Sequence, residues 1–399
     1  MISNLPIICF GGEDWWYHHP HSKNHIMRRL ARAGNRVVFV NSISMGLPAV
    51  GSPDIIAKIL RKLRSYAKIC RRTEEGMIVV TPVVLPFYSR KLVRAINRRL
   101  LVVQMKLLMI AFDIVNPLLW IAIPTACDVA GQLGEIALIY QVSDKYESNR
   151  MDHAVPRNVI ASMHQALLAS ADLVYYSGRK LYDEEACTCS PVRFKARLLE
   201  HAVDFEHFAS ATASVTPLPE EISSVPSPRL GYFGALDYWL MDQSLIRYIA
   251  QKRPEWHWVL IGLKAAPLEI EDLPNVHCLG PKPYSDLPGY AAAFDVCVLP
   301  WVTNNEFVSY LSAIKVREYL ATGKPAVMTP LYEYRHLDGI VRIARDRDDF
   351  ISQVEESLNQ DSSWRKMERQ EAVRESTWDA RALQVSRDIE HLMASLWTT

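Results

Sequence analysis

The chain has 399 residues, 49% of them apolar and 22% charged, with a formal net charge of +1. It is longer than one hydrophobic core ordinarily serves and too apolar for disorder, so two soluble globular domains are expected. The near-zero total hides an asymmetry: residues 1–208 hold 26 Lys+Arg against 18 Asp+Glu, while residues 209–399 hold 19 against 26.

The opening residues, MISNLPIICFGGEDWW, have no basic start and no long apolar run before Glu13 and Asp14, so no secretory signal is expected. LPIICF reads as a strand, HIMRRLARAG as a helix and RVVFVNS as a second strand. Between the first strand and the helix lies Gly11-Gly12-Glu13-Asp14-Trp15-Trp16-Tyr17-His18-His19. Paired tryptophans and clustered histidines at a strand's carboxyl end suit the stacking of a sugar ring, and they equally suit an aromatic anchor that packs the loop. Histidine is the most frequent general base, so His18, His19 and His21 compete for that role with Asp144 further on.

Two stretches carry much of the first half's positive charge, Lys58–Arg72 and Arg90–Lys106. Both mix basic residues with Ile, Leu and Val at helical spacing. That is the composition of an interfacial helix facing anionic lipid, and also of a solvated basic face over a buried stripe. Few aromatics interleave the basic residues, so nucleic acid is not expected as a partner. Leu100–Ile123 is interrupted by Lys106, Asp113, Asn116 and Pro117, short of the roughly 18 uninterrupted apolar residues of a membrane span. It reads as a helix, a break at Asn116-Pro117, and the strand LLWIAI. The next strand, ALIYQVSD, ends in Asp144, a carboxylate placed either to accept the proton of an attacking hydroxyl or to cap a turn. A helix through Ser162–Ser170 and the strand DLVYYS follow.

Residues 209–228, ASATASVTPLPEEISSVPSP, are rich in Ser, Pro and Ala without apolar periodicity and read as an interdomain connection. After them come RLGYFG, a helix through Leu245–Gln251, HWVLIG, VHCLG, a helix through Leu287–Ala293, DVCVLP, the helix bearing Lys315, and a long helical stretch, Ser362–Leu396. That stretch has Trp364, Trp378, Leu383, Ile389 and Leu392 to pack. Strands alternating with helices imply parallel sheets built from βαβ units. Gly231-Tyr232-Phe233-Gly234 ends the first strand of this half, where glycine lets backbone amides approach a phosphate or simply makes a strand-end turn. Trp301 ends a later strand, facing a ligand or filling the core. Lys315 and Glu318 stand three apart on one helical face and suit a phosphate and a sugar diol, or else form an exposed salt bridge.

No GxGxxG or Walker A loop is present, so a nicotinamide or nucleoside-triphosphate reading lacks its phosphate cradle. Seven cysteines, with Cys187 and Cys189 the only close pair, show neither a disulfide framework nor ligand spacing. A reducing cytoplasm and no metal site are expected.

Taken together, these pieces resemble a glycosyltransferase of the GT-B fold. The resemblance is carried by RLGYFGALD, NVHCLGPKPYSDLPGYAAAFDVCVLPW and IKVREYLATGKPAV. In the first half GGEDWWYHHP, LLWIAIP and IYQVSDKYE are similar to bacterial polysaccharide glycosyltransferases of the teichuronic-acid type, and HAVDFEHF is similar to the segment closing their first domain.

The resemblance implies an α/β chain of two Rossmann-like doubly wound domains facing across a cleft. These are an acceptor-binding domain at 1–208, a linker at 209–228, a donor-binding domain at 229–380 and a C-terminal helix at 381–399 placed to pack back on the first domain. Lys315 would contact the donor phosphates, Glu318 the ribose hydroxyls and Gly234 the turn beneath the pyrophosphate, with a loop through Val276 and His277 against the base. Trp301 matches an aromatic donor contact, and Asp144 the proposed base, of the more distant glucuronosyltransferase of xanthan assembly. Gly12, Asp14, Trp15 and His19 would line the acceptor side. Retaining members carry a second Glu eight positions before the ribose Glu, and here that position is Tyr310, which leans the expectation toward inversion.

The expected partners are a nucleotide-sugar donor, with UDP the expected nucleotide, a glycan or lipid-linked acceptor, and an anionic membrane surface reached peripherally from the cytoplasm. Neither a metal nor another cofactor is expected. A nucleotide-sugar epimerase on the same scaffold and a non-catalytic nucleotide-sugar-binding partner are the alternatives.

Overall fold

The computed structural model describes residues 1–16, 20–43, 69–85, 90–148, 155–187, 190–212 and 218–398. His18, His19 and the greater part of the first basic stretch, residues 58–68, lie outside them. The chain divides into two compact units, one made of Met1–Glu200 with Arg381–Thr399, the other of His201–Ala380.

The first unit is an eight-stranded sheet in the order β3-β4-β2-β1-β5-β6-β7-β8. Its strands are β1 Pro6–Phe10, β2 Arg36–Val40, β3 Cys70–Arg72, β4 Ile78–Val80, β5 Leu118–Ile121, β6 Ala137–Val142, β7 Leu173–Tyr176 and β8 Ala196–Leu198. All pairings are parallel except β3 with β4. β1, β5, β6 and β7 are apolar almost throughout and buried, as strands covered on both faces must be. Cys70–Arg72, expected as the end of a basic helix, is instead the antiparallel edge strand. Three-residue strands such as β3, β4 and β8 are too short to leave a periodicity.

The helix Lys91–Ala111 ends as Asp113 and Asn116 take left-handed backbone angles (φ 50° and 47°), and β5 starts two residues later. At the chain's end the expected single helical stretch is two helices, Ser363–Arg374 and Trp378–Thr398. Val385 and Ile389 of the second enter the first unit's core, and Asp388 accepts a 3.0 Å hydrogen bond from the Tyr175 hydroxyl. Trp378 is buried, but Trp364 and Leu383, expected to pack, are exposed.

The second unit is a six-stranded parallel sheet in the order β11-β10-β9-β12-β13-β14. Its strands are β9 Arg229–Phe233, β10 His257–Ile261, β11 Val276–Gly280, β12 Val296–Leu299, β13 Ala326–Met328 and β14 Arg342–Ile343. The expected boundary at 208 moves to 200, because Phe205 and Phe208 are buried in the second core and the Phe208 ring stacks 6.0 Å from Phe233. The expected linker is corrected as well: Ala211, Ile222 and Val225 are core residues of this unit, and Glu220–Ser223 is a short helix. Three apolar anchors among many serines and prolines are too few to register as a pattern.

Strand order locates the functional edge of each sheet. β9 leads outward to β10 and β11, and the chain then returns to place β12 on β9's other side. The order in which strands are added therefore reverses between β9 and β12, where open parallel sheets hold ligands beyond their carboxyl ends. The corresponding switch in the first unit lies between β1 and β5.

Candidate active site

In the second unit Gly234 follows β9 and Trp301 follows β12, so both stand at the switch point. Gly234 has φ 138°, a conformation that glycine alone adopts without strain, and a Cβ there would lie 2.3 Å from the Lys315 Nζ. The ammonium thus rests against bare backbone. Gly262, after β10, is equally constrained, since its Cβ would lie 1.7 Å from the Gly234 carbonyl oxygen.

Lys315 belongs to the first turn of the helix Ile314–Thr322, which has neither a side-chain N-cap nor an acidic residue in that turn. Its free amides and the helix dipole favour an anion there. The ammonium donates to the Tyr232 hydroxyl at 3.0 Å and lies 4.7 and 4.9 Å from the Tyr232 and Trp301 ring centres. Trp301 Nε1 also donates to the Tyr232 hydroxyl, at 3.2 Å, and that hydroxyl donates to the Ala235 carbonyl at 2.9 Å. One donor and two acceptors are all that a phenol offers, and all are used. The network holds Lys315 at one place without neutralising it.

Trp301, expected to face the donor, is buried beneath Lys315. Its ring supports the cation instead.

Glu318 lies one turn further along the same helix and is buried. The exposed salt bridge that the sequence leaves open is not formed: among the described residues, Lys315 turns to Tyr232 and Glu318 to Tyr284. Burial pushes the Glu318 carboxyl up to about 7, Lys315 and the Tyr284 hydrogen bond pull it back, and Asp204 pushes it higher. Tyr284 stacks on His207 with ring centres 5.1 Å apart, and His207 Nε2 lies 3.1 Å from the Tyr284 carbonyl oxygen. The residues around Glu318 therefore come partly from HAVDFEHF, which the resemblance assigned to the first domain.

Keeping that carboxylate buried costs stability. Its folded pKa exceeds the ordinary glutamate value of about 4.5, so the folded state holds the proton longer and stability falls as pH rises from about 4.5 to about 7. We expect Glu318→Gln to raise unfolding free energy by about 3 kcal/mol at pH 8, with the gain shrinking toward zero near pH 4.5. Denaturant unfolding at the two pH values measures this. A variant less stable than the parent at pH 8 would refute it.

His277 is not brought to this cluster. Val276 and His277 belong to β11 rather than to a loop, and His277 Nε2 lies 3.0 Å from His257 Nδ1, the two rings stacked 5.3 Å apart. Since His257 begins β10, that pairing is toward the amino ends of the strands, away from Gly234. Burial first, and then the neighbouring His257, lower the His277 pKa.

In the first unit Gly11 and Gly12 follow β1. A Cβ on Gly11 would enter the Phe39 ring, and one on Gly12, at φ 81°, would lie 2.1 Å from Ile123 Cγ2. Close packing thus demands both glycines. Asp14 accepts from the Trp16 amide at 3.0 Å, a local turn. Trp15, expected to line the acceptor side, is core: it packs edge-on against Phe39 at 4.8 Å, with the Arg28 guanidinium 4.9 Å from its ring. Trp16 is the exposed member of the pair. His19 is outside the described residues.

Asp144 follows β6, beside β5 and the switch point. Burial raises its pKa to about 6, Lys23 lowers it and Glu13 raises it. Lys23 and Glu13 pair at 2.6 Å, and Lys23 is almost wholly buried at the start of the helix Ser22–Arg32. Gln141 braces this region from β6, accepting from Trp120 Nε1 at 3.1 Å and donating to the hydroxyls of Ser22 and Ser177 at 3.2 and 3.3 Å. Lys23 and Glu13 were not singled out in sequence. The only signal available was Glu13's place in the glycine loop.

Comparison with known proteins bears on the second unit first. Residues 227–360 match the family model described as Glycosyl transferases group 1. The matched residues lie within the second unit. The chain is also 26% identical over 247 residues to a Bacillus subtilis protein described as a teichuronic acid biosynthesis glycosyltransferase, TuaH. That match covers 58% of this chain and 60% of TuaH. Among solved structures, sucrose-phosphate synthase from Thermosynechococcus elongatus superposes with a TM-score of 0.69 at 16% identity, over 99% of this chain and all of that one. HepE of Anabaena, solved in complex with UDP-glucose, superposes with a TM-score of 0.65 at 14% identity, over 97% of this chain and 99% of that one. At such identities the likeness shows the fold, and that fold is GT-B.

Proposed function

We propose that the chain transfers a sugar from a nucleoside-diphosphate donor, with UDP the expected nucleotide, to a glycan or lipid-linked acceptor in the synthesis of a bacterial cell-surface polysaccharide. One observation carries the reading. Lys315 is held by uncharged partners against Gly234 at the β9/β12 switch point, one helical turn from the buried Glu318, within the residues that match glycosyl transferases group 1. The HepE complex with UDP-glucose supports a UDP-sugar, and TuaH supports an acceptor in surface-polysaccharide synthesis. The cytoplasm is the compartment in which we place the reaction.

The chemistry divides between the units. Lys315 and the amides after β9 and at the Ile314 helix start meet the diphosphate, and ionised Glu318 accepts hydrogen bonds from the two ribose hydroxyls. Asp144 takes the proton of the acceptor hydroxyl, whose oxygen attacks the anomeric carbon as the bond to the diphosphate breaks. The electron pair leaves with the diphosphate, whose added charge Lys315 and the amides offset. Direct displacement inverts the anomeric centre, and Tyr310 occupies the place of the second carboxylate used by retaining relatives. The residues named supply the charge compensation without a metal or other cofactor in this scheme.

The test is a panel of UDP-, GDP- and dTDP-sugars read by thermal shift and by acceptor-dependent release of the nucleotide. We expect a UDP-sugar to raise the melting temperature most, since a ligand at 100 times its Kd stabilises the fold by about 2.7 kcal/mol. Binding by none of the three classes would defeat the reading. Donor consumption without any acceptor would favour an epimerase instead.

A further inference from the structure

The helix Lys91–Ala111 packs by a narrow face. Leu101 and Met105 are fully buried, Arg94 makes two hydrogen bonds to Asp128 at 2.7 and 2.8 Å, and Asn97 both donates to and accepts from the Leu85 backbone. Roughly opposite runs a second apolar stripe, formed by Leu92, Ile96, Leu100, Val103, Leu107 and Ile110. At 100° per residue these six fall within an arc of about 80°. All are exposed, Leu92 at 73%, Leu107 at 61% and Ile110 at 79%. Gln104 clamps the Val83 backbone to the helix at 2.8 Å in both directions, and the exposed side chains of Val83 and Leu85 extend the patch.

Charge distinguishes this stripe from an ordinary exposed edge. Residues 91–111 contain no Asp or Glu. Lys91, Arg98, Arg99 and Lys106 are all exposed, Arg99 and Lys106 bordering the stripe and the other two further round toward the packed face, and among the described residues none of the four pairs with a carboxylate. A solvated helix face of this length ordinarily mixes both signs. An apolar face bordered by uncompensated cations fits a surface that is apolar within and anionic at its boundary.

We propose that the stripe from Leu92 to Ile110 is a docking surface for an anionic lipid bilayer. The helix lies in the headgroup layer with Leu, Ile and Val inserted, and the stems of Arg99 and Lys106 run along the boundary to reach lipid phosphates. It does not cross, for no described helix is long and apolar enough to span a membrane. Charge argues against a second copy as the occupant, which would set the same cations against one another across a twofold axis. The proposal goes beyond glycosyl transfer and does not depend on it, because it concerns binding to lipid alone.

The full chain is sedimented with vesicles of phosphatidylcholine and with vesicles containing phosphatidylglycerol. We expect partitioning at least tenfold higher on the anionic vesicles, falling as salt rises. Two double variants at exposed positions, Leu107→Glu with Ile110→Glu and Arg99→Glu with Lys106→Glu, should each lower it roughly tenfold or more while keeping the parent melting curve. Leu107→Ser with Ile110→Ser serves if the first pair melts early. Failure to bind either vesicle, equal binding to both, or binding unchanged by every variant would overturn the proposal. Self-association lost in Leu107→Glu with Ile110→Glu, without vesicle binding by the parent, would assign the face to a second copy.

Discussion

Asp144→Asn should lower acceptor-dependent transfer by roughly 10²- to 10⁴-fold, about 3–5 kcal/mol of barrier, while leaving donor affinity nearly unchanged. The split follows from the proposed roles: Asp144 belongs to the first unit, and Gly234, Lys315 and Glu318, proposed to bind the donor, to the second. With its pKa at about 6, Asp144 is ionised at neutral pH and close enough to it to accept a proton usefully. At limiting acceptor the rate, read as kcat/KM, should therefore fall tenfold per pH unit below about 6. Lys23→Met removes the cation that lowers this pKa and should move the limb upward, whereas Glu13→Gln should move it downward. Steady-state rates with a chosen acceptor, combined with donor titration, measure both effects. Normal transfer by Asp144→Asn would remove the base assignment.

Lys315→Ala should weaken binding of a nucleoside-diphosphate sugar by roughly 10- to 100-fold, the loss of a charge-assisted contact of about 1.5–3 kcal/mol. Gly234→Ala should produce a comparable loss with the lysine still present, because its Cβ claims the space of the ammonium and φ 138° disfavours any side chain. Lys315→Arg should not restore affinity. A planar guanidinium does not match the compact site between the Tyr232 and Trp301 rings. Calorimetric or fluorescence titration of donor into each variant decides. Unchanged affinity in Lys315→Ala would place the diphosphate elsewhere.

Part of the candidate site's arrangement was legible in the sequence. The βαβ alternation pointed to parallel sheets, and glycine at the end of β9, an acid at the end of β6 and the Lys315/Glu318 spacing each stood at a strand end or on one helical turn. Whether Lys315 and Glu318 were a surface ion pair could not be read, because i,i+3 spacing is the same in either case. Burial separates the two, and burial depends on Tyr284 and the 204–208 segment, far away in sequence. The aromatics were less legible. Trp15 and Trp301 looked like ligand platforms because they follow strands, yet a large ring at a strand end packs inward whenever a neighbour such as Phe39 or Tyr232 offers a surface.

By itself the sequence determined the periodic elements, the places where glycine was required, and the residue types able to meet a phosphate, a diol and an acidic proton. Local spacing controls all of these. Tertiary structure alone decided the strand order that makes β9/β12 a switch point, the assignment of residues 201–228 to the second unit, and the upward shift of the Glu318 and Asp144 pKa values. These depend on which distant groups share a low-dielectric environment. Lys23 and Asp144 lie more than a hundred residues apart and appear in no common motif, yet the field of one on the other is felt only because the chain folds them together.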